Sequence, residues 1–367
     1  MKYNKFNIPI ILIFLFLPFA GKPQIFEKQK NISRSFAVSK DCSIQVSNKY
    51  GDIHIVPWDK DSACFSIDIK AADKGEADAD KMLNAIDIDF TGYSYYIVAK
   101  TVISDNKSQV LSGLSDMANS LFNTGKKVEI KYFIYVPQTA SLKVENKYGN
   151  IYTTNHSGNV QFILSNGDLK ANDLTGNDTK IDLSFGNGVV NTIKNGKLTV
   201  GYSDFDIKNA ENLAIESKSA KVNISKVKHL DISSKRDKYN IDTVGTLNGQ
   251  TNFSYINAYF LKESFFLNAL YGNINLSEIT SDFKFVNINS DCTDINLCFQ
   301  KTSSANISML CKKTQLSYPP VITGLQKRVL NEKSNEFAVS GTIGLEIQPG
   351  SAVQINAVSG SIILNTK

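Results

Sequence analysis

Apolar and polar positions alternate in short bursts along most of the chain, and the bursts return at a regular interval. Two residues after each of a series of turn-like phrases stands an apolar residue, often with another two positions on. Examples are Ile53 and Ile55, Leu169 and Ala171, Val222 and Ile224, Ile274 and Leu276, Ile295 and Leu297, and Ile362 and Leu364. Alternation of this kind marks a strand with one buried face. The phrases themselves are related. Asn48-Lys49-Tyr50-Gly51-Asp52-Ile53 returns almost unchanged as Asn146-Lys147-Tyr148-Gly149-Asn150-Ile151. Weaker copies follow at Asn166-Gly167-Asp168, Phe185-Gly186-Asn187, Tyr202-Ser203-Asp204 and Tyr271-Gly272-Asn273. With the aromatic slot as marker, the series runs 148, 166, 185, 202, 219, 236, 253, 271, in steps of 17 to 19 residues. A fixed period of that size belongs to repeat architectures.

About 18 residues hold two or three short strands and their corners, but not a strand with a crossover helix. The expected fold is therefore all-β: a parallel β-helix, or β-solenoid, with coils of about 18 residues. Its coils would stack at roughly 4.8 Å, and eleven of them would make a rod of roughly 50 Å. The Gly-Asp and Gly-Asn pairs read as turn chemistry, with Gly taking positive φ and the Asx side chain bonding its own backbone. The structural turn residues are Tyr50, Gly51, Asp52, Tyr148, Gly149, Asn150, Gly167, Asp168, Gly186, Asn187, Tyr202, Asp204, Tyr271, Gly272 and Asn273. The aromatic and Asx slots would each form a ladder, since stacked like groups stabilise flat sheets.

Three other segments frame the array. Lys2 and Lys5 precede an apolar run, Ile8 to Phe19, broken by Pro9 and Pro18 and followed by Ala20-Gly21. Residues 1–21 read as a secretory signal peptide, too short and too proline-broken for a stable transmembrane span. Residues 22–137 read as a β-rich cap covering the first coil, because an open sheet edge invites aggregation. Glu76 to Leu83 is its one short helix, with acidic residues in the first half where the helix dipole favours them. Within the cap, Val110, Leu111, Leu114, Met117, Ala118, Leu121 and Phe122 fall at helical spacing, so 104–127 is expected to be an inserted amphipathic segment. Residues 138–367 hold the array. It is interrupted at 311–336 by Tyr318-Pro319-Pro320 and a charged stretch, read as a loop excursion, with two final coils after it.

Charge and candidate chemistry narrow the function. Removing residues 1–21 takes away two lysines and lowers the net charge from +5 to +3, nearly balanced for 40.5 kDa, which argues against nucleic acid as partner. His54, His156 and His229 share no slot and no metal spacing. Cys42, Cys64, Cys292, Cys298 and Cys311 form no CxxC pair. Cys42 with Cys64 and Cys292 with Cys311 are possible bridges, and buried free thiols are the alternative. The Asx ladder could offer oxygen ligands to a cation, but its slot is filled as often by Asn as by Asp. Turn hydrogen bonds account for it better. No catalytic, cofactor or metal residue is assigned.

The signal sequence, the cap with a short Ala-containing helix, the strand ending in Tyr135-Val136-Pro137 and the two Asn-Lys-Tyr-Gly phrases together resemble the "putative adhesin" β-solenoid family of Gram-negative cell envelopes. The resemblance covers roughly residues 36–367. It implies a right-handed parallel β-helix-like fold outside the inner membrane, and it carries no catalytic residues to transfer. The expectation is a non-catalytic exported protein of the periplasm, outer membrane or cell surface, binding an envelope protein or a glycan. One alternative is a polysaccharide lyase or hydrolase using sets such as Asp168, Asp204 and Lys221. Another is an envelope sensor or assembly partner reading through the 110–122 helix.

Overall fold

The structure is a computed structural model that describes residues 25–103, 127–320, 322, 324–344 and 349–367. The signal peptide and all but the last residue of the 104–127 segment lie outside the described residues. The described chain is all-β apart from one helix. Its elements are β1 (Phe26–Ala37), β2 (Ser43–Lys49), β3 (Ile53–Trp58), β4 (Ser62–Asp73), α1 (Glu76–Ala85), β5 (Ile86–Tyr93), β6 (Tyr96–Ile103), β7 (Lys127–Pro137), β8 (Ser141–Lys147), β9 (Ile151–Thr153), β10 (Val160–Ser165), β11 (Leu169–Leu174) and β12 (Thr179–Ser184). They continue as β13 (Asn187–Gly201), β14 (Asp204–Lys218), β15 (Lys221–Lys235), β16 (Lys238–Ile279), β17 (Phe285–Phe299), β18 (Ala305–Lys312), β19 (Gln315–Ser317), β20 (Leu325–Asn331), β21 (Glu336–Ile343), β22 (Ala352–Val358) and β23 (Ser361–Thr366).

All 23 strands hydrogen-bond into one sheet, and it is mixed rather than purely parallel. The middle is parallel. Leu142 pairs with Val160 and Val160 with Thr179. From β13 to β16 the offset is constant, with Asn187 opposite Asp204, Asp204 opposite Lys221 and Lys221 opposite Lys238. An unvarying offset keeps every inward residue over an inward residue. Leu198, Ile215 and Ile232 lie in one buried row, and Phe205, Val222 and Tyr239 in another. Each fully buried aliphatic or aromatic side chain of this kind stabilises by about 1.5–3 kcal/mol. The rows belong to one continuous core along the chain.

Antiparallel pairing enters at both ends, which is what makes the sheet mixed where the sequence predicted a parallel array. At the N-terminal end, β4 runs antiparallel to β1 and to β7, and β5 to β6. Helix α1 buries Ala79, Met82 and Leu83, and carries Glu76 and Asp78 in its first turn. Residues 43–58, which the sequence places inside the cap, are part of the parallel register. Asn48 pairs with Asn146, and Ile53 with Ile151, so the two nearly identical phrases lie side by side. The strands β6 and β7 add in parallel on the other side of β2 and β3.

The C-terminal end corrects two further expectations. Residues 311–336 are not a simple loop, because they contain β19 and β20. In addition, the last two strands do not end the sheet. β22 lies between β17 and β18, with Ala352 opposite both Phe285 and Asn306. β23 lies between β17 and β19, with Ile362 opposite both Ile295 and Leu316. Outside them, β18 pairs antiparallel with β21, and β21 with β20. Strand β20 is exposed along almost its whole length and carries Lys327 and Arg328. Charged, solvated edge strands resist edge-to-edge aggregation. All five cysteines are free, so neither of the possible disulfides is present.

The corner glycines give a sharp test of the register. A Cβ on Gly167 would lie 2.0 Å from the carbonyl oxygen of Gly149, whereas a Cβ on Gly201 would meet nothing within 4 Å. Gly167→Ala is expected to destabilise the protein by about 2 kcal/mol or more, because backbone rather than a flexible side chain must move. Gly201→Ala should be neutral or slightly stabilising, through the unfolded-state entropy that alanine removes. Urea unfolding of both variants checks this. Equal effects would show that backbone approach is not the constraint.

Candidate functional site

Each pass of the chain turns a corner between two strands, and the turn residues meet there. The positive φ falls on the residue before the expected glycine. Tyr50, Tyr148, Tyr202 and Tyr271 have φ of 68°, 59°, 53° and 51°, and Asn166, Phe185, Ser219, Arg236 and Phe253 do the same. At Gly149, Gly186 and Gly272 the glycine serves a different purpose from the one read in the sequence, whereas Gly51 does take a positive φ, of 154°. A Cβ on Gly149 would sit 2.1 Å from the Gly51 carbonyl oxygen, and one on Gly186 1.9 Å from that of Gly167. Gly272 stands equally close to the backbone of Ser254. Close approach of two backbones is the other reason a chain needs glycine.

The Asx side chains reach the neighbouring pass rather than their own. Asn150 N–H donates to Asp52 Oδ1 at 2.9 Å, Asp168 N–H to Asn150 Oδ1 at 2.7 Å, and Asn187 N–H to Asp168 Oδ1 at 2.8 Å. Asp204 continues that row beside Asn187, and Asn273 lies opposite Asp294. The aromatic row is discontinuous. Tyr50 stacks on Tyr148 at 5.6 Å, Phe185 on Tyr202 at 5.1 Å and Phe253 on Tyr271 at 4.8 Å. Asn166, Ser219 and Arg236 separate the pairs. A second, half-buried stack places His54 between Phe133, at 4.8 Å, and Tyr152, at 4.7 Å.

A groove of about 1050 Å³ lies on the sheet, and it is absent from the sequence reading. It runs across the strands just before the corner, from β13 through β17 to β22, β18 and β21. Inward residues along its floor are small: Ser217, Ser234, Thr251, Ala269, Ser290 and Ala357, all buried. Short side chains beneath the sheet let the backbone sink toward the core, which produces the depression. The outward positions are mixed, with amides and hydroxyls at Thr199, Ser233, Gln250, Asn268, Asn289 and Asn356 and charged groups at Glu216, Lys218, Lys235, Asp291, Lys312 and Glu336. Leu270, Leu310 and Val358 supply exposed apolar surface. The spacing of 17 residues joining Thr199, Glu216, Ser233 and Gln250 is visible in the sequence. Which of several such rows lies over a depression is not.

Behind the groove sits a buried carboxylate, Asp237. Ser217 Oγ and Ser234 Oγ each donate to its Oδ2 at 2.7 Å, and the Ala220 N–H donates to its Oδ1 at 2.8 Å. Tyr239, fully buried beside Ser217, has its phenol pushed well above the usual range by burial. Charge-assisted bonds of this kind are the strong ones, and they hold the two groove serines in place.

The chemistry sought among ionisable groups is dispersed. Asp168 and Asp204 stand on either side of Asn187 in the corner row, and Lys221 pairs with Asp204 on the adjacent strand. None of the three lines the groove. The groove's own carboxylates, Glu216, Asp291 and Glu336, are on separate strands, and Val358 and Lys312 intervene between Asp291 and Glu336. Among the described residues no group of three His, Cys, Asp or Glu side chains could hold a metal ion. No helix among them is long and apolar enough to cross a membrane.

No family model matches the chain, and no curated protein matches it. Solved structures do show likeness. A putative cell adhesion protein from Clostridium sporogenes is 11% identical, covers 93% of this chain and 100% of its own, and has a TM-score of 0.19. A putative adhesin from Parabacteroides distasonis is 9% identical, covers 91% of this chain and 97% of its own, and has a TM-score of 0.35. A putative adhesin from Bacteroides fragilis is 12% identical, with coverage of 91% and 97% and a TM-score of 0.25. These neighbours carry the adhesin description that the sequence resemblance suggested. At such identities and TM-scores they decide neither the detail of the fold nor the activity.

His156 provides the pH test. It is buried, its Nε2–H donates to the Ala140 carbonyl at 2.7 Å, and its Nδ1 has no partner. Burial pushes its pKa below the ordinary 6.5. Unfolded chains take up that proton near pH 6.5 while the folded protein does not. The contribution of His156 is therefore complete above pH 6.5 and is lost as pH falls below it, at up to about 1.4 kcal/mol per pH unit. Urea unfolding between pH 7.5 and 5 should show this acid-side loss in the native chain and a shallower slope in His156→Gln. Identical slopes would mean that His156 is not the group responsible.

Proposed function

We propose that this chain is a non-catalytic binding or scaffold protein of the cell envelope, built around a parallel β-solenoid. The constant offset from β13 to β16 supports the solenoid reading, with each pass as one coil. On this view the Tyr-Gly-Asx residues are the coil corners, residues 22–137 supply most of the N-terminal cap, and residues 1–21 are a leader removed on export. The partner would be an envelope protein or a glycan, held in the periplasm, on the outer membrane or at the cell surface. The observation that carries the binding reading is the groove, which is solvent-open and lined on rigid strands by amides and hydroxyls, by three lysines balanced by three carboxylates, and by exposed apolar side chains. Preformed concave sites with a few placed polar groups are the usual form of a ligand site.

Two measurements on the producing cells test this. Fractionation should find the protein outside the cytoplasm, with an N-terminus between Lys22 and Gln24. Incubating the purified chain with a broad polysaccharide panel should release no reducing ends. A cytoplasmic chain with an intact Met1 overturns the export assignment. Depolymerisation lost in Asp168→Asn or Asp204→Asn would replace the binding role with an enzymatic one.

A further inference from the structure

From the chemistry of the groove we infer that its ligand is a neutral, unbranched glycan lying along the coil axis, a proposal that rests on the binding role above and names the ligand class. Its outward row can recognise hydroxyl groups at every step. Asn289 Nδ2 donates to Asn268 Oδ1 at 3.0 Å, and Asn356 Nδ2 donates to Asn289 Oδ1 at 2.9 Å. Each of these amides keeps a second N–H, and every oxygen a further lone pair. Gln250 and Ser233 extend the row across the adjacent strands. Successive strands lie roughly 4.8 Å apart. The groove therefore repeats hydrogen-bonding groups at a regular interval, as a polymer of hydroxylated rings requires. Leu270, Leu310 and Val358 are 38%, 46% and 42% exposed, and they offer apolar contact for the C–H faces of such rings.

Other polymers fit less well. Lys218, Lys235 and Lys312 are matched by Glu216, Asp291 and Glu336, so the groove has no net charge for a nucleic acid or a polyanion. An extended peptide gains most of its affinity by adding to a sheet edge. The strands β14, β15 and β17 under the groove are hydrogen-bonded on both sides and present no edge. An acyl chain would cover the amide row without satisfying it, at the cost of unpaired polar groups.

The test uses the full chain. A glycan array carrying neutral gluco-, manno-, xylo- and galacto-oligosaccharides beside acidic oligogalacturonates is followed by calorimetry on the strongest binder. Neutral oligosaccharides should bind, more tightly as they lengthen, and acidic ones should not. Leu270→Arg, which places a charged side chain in the groove, should weaken binding at least tenfold. Gln250→Ala should weaken it severalfold. Tyr95→Ala, at an exposed site outside the groove lining, should leave it unchanged. Both groove residues are surface positions, and thermal unfolding of each variant reports whether the fold is intact. No neutral binder at millimolar concentration, or binding indifferent to Leu270→Arg, overturns the glycan assignment. If an acidic oligosaccharide binds instead and Leu270→Arg abolishes it, the glycan class is wrong but the groove remains a binding site. If no ligand depends on either groove residue, the binding role itself falls.

Discussion

Backbone hydrogen bonds between successive passes of the chain are the interaction on which everything else here depends. They run through the corners as well as the strands. The N–H of Tyr148 donates to the Ser165 carbonyl, that of Phe185 to Gly201, that of Tyr202 to Lys218 and that of Arg236 to Asn252. Each donor is the residue with positive φ. Its conformation is fixed by the pairing, whereas the residue type varies among Tyr, Phe, Asn, Ser and Arg. The next position is held more tightly. In the earlier passes it is Gly51, Gly149, Gly167 and Gly186, where another backbone occupies the space a Cβ would need. In later passes Ser203, Asp237 and Ser254 stand there, buried, with hydrogen bonds of their own. Ser203 Oγ accepts the Gly186 N–H, and Ser254 Oγ accepts the Asp237 N–H. The same corner is thus closed in two ways, by removing a side chain or by giving it polar partners.

Uniform corners make uniform spacing, and uniform spacing turns side chains into rows. One such row links Asn223 to Asp206 and Asn240 to Asn223 through amide donors at 2.6 and 2.8 Å. Another sets small inward residues beneath the groove and amides above it. A single short residue would leave only a dimple, whereas repetition over several strands makes a channel. The groove is therefore a collective property of the register. Between β16 and β17 the offset is longer, from Ser264 opposite Phe285 to Leu276 opposite Leu297, with an irregularity only between Leu276 and Ile279, and the outward row continues through Asn268 and Asn289.

Local information in the sequence was enough for the all-β class and the one short helix. Alternation such as Val222–Ile224 and the Tyr-Gly-Asx phrases depends on only a few consecutive residues, and the short helix near Glu76 is equally local. Three features were beyond its reach. The exchange of roles at Tyr148 and Gly149 depends on how near the Gly51 backbone comes, which no single phrase encodes. The direction of the Asx bonds depends on the neighbouring pass, so Asp168 could be read as bonding itself when it accepts from Asn187. The groove depends on which outward row overlies a small inward one, a relation between residues 17 to 67 positions apart. The burial of His156, whose ring bonds the Ala140 carbonyl, follows from the surrounding core, where a single surface histidine was the expectation.

The two ends follow from what a parallel stack lacks. Each parallel strand leaves half its backbone groups for the next, so the last one needs a partner of another kind. At the N-terminal end, β4 meets β7 antiparallel and β1 closes over it. At the C-terminal end the chain first overshoots, building β18 and β19 and then the antiparallel strands β20 and β21. It then returns to place β22 and β23 against β17. Periodicity in the sequence records that Ile362 and Leu364 belong to a half-buried strand, but it cannot record that this strand lies between two earlier ones. The reason is energetic rather than sequential. The polar segment 325–331 carries Lys327 and Arg328 and tolerates solvent on its free edge, whereas Ile355, Ile362 and Leu364 are buried and need a strand on each side. Placing the apolar pass inside and the charged hairpin outside satisfies both, and it leaves Leu310, Lys312 and Glu336 to form the far end of the groove.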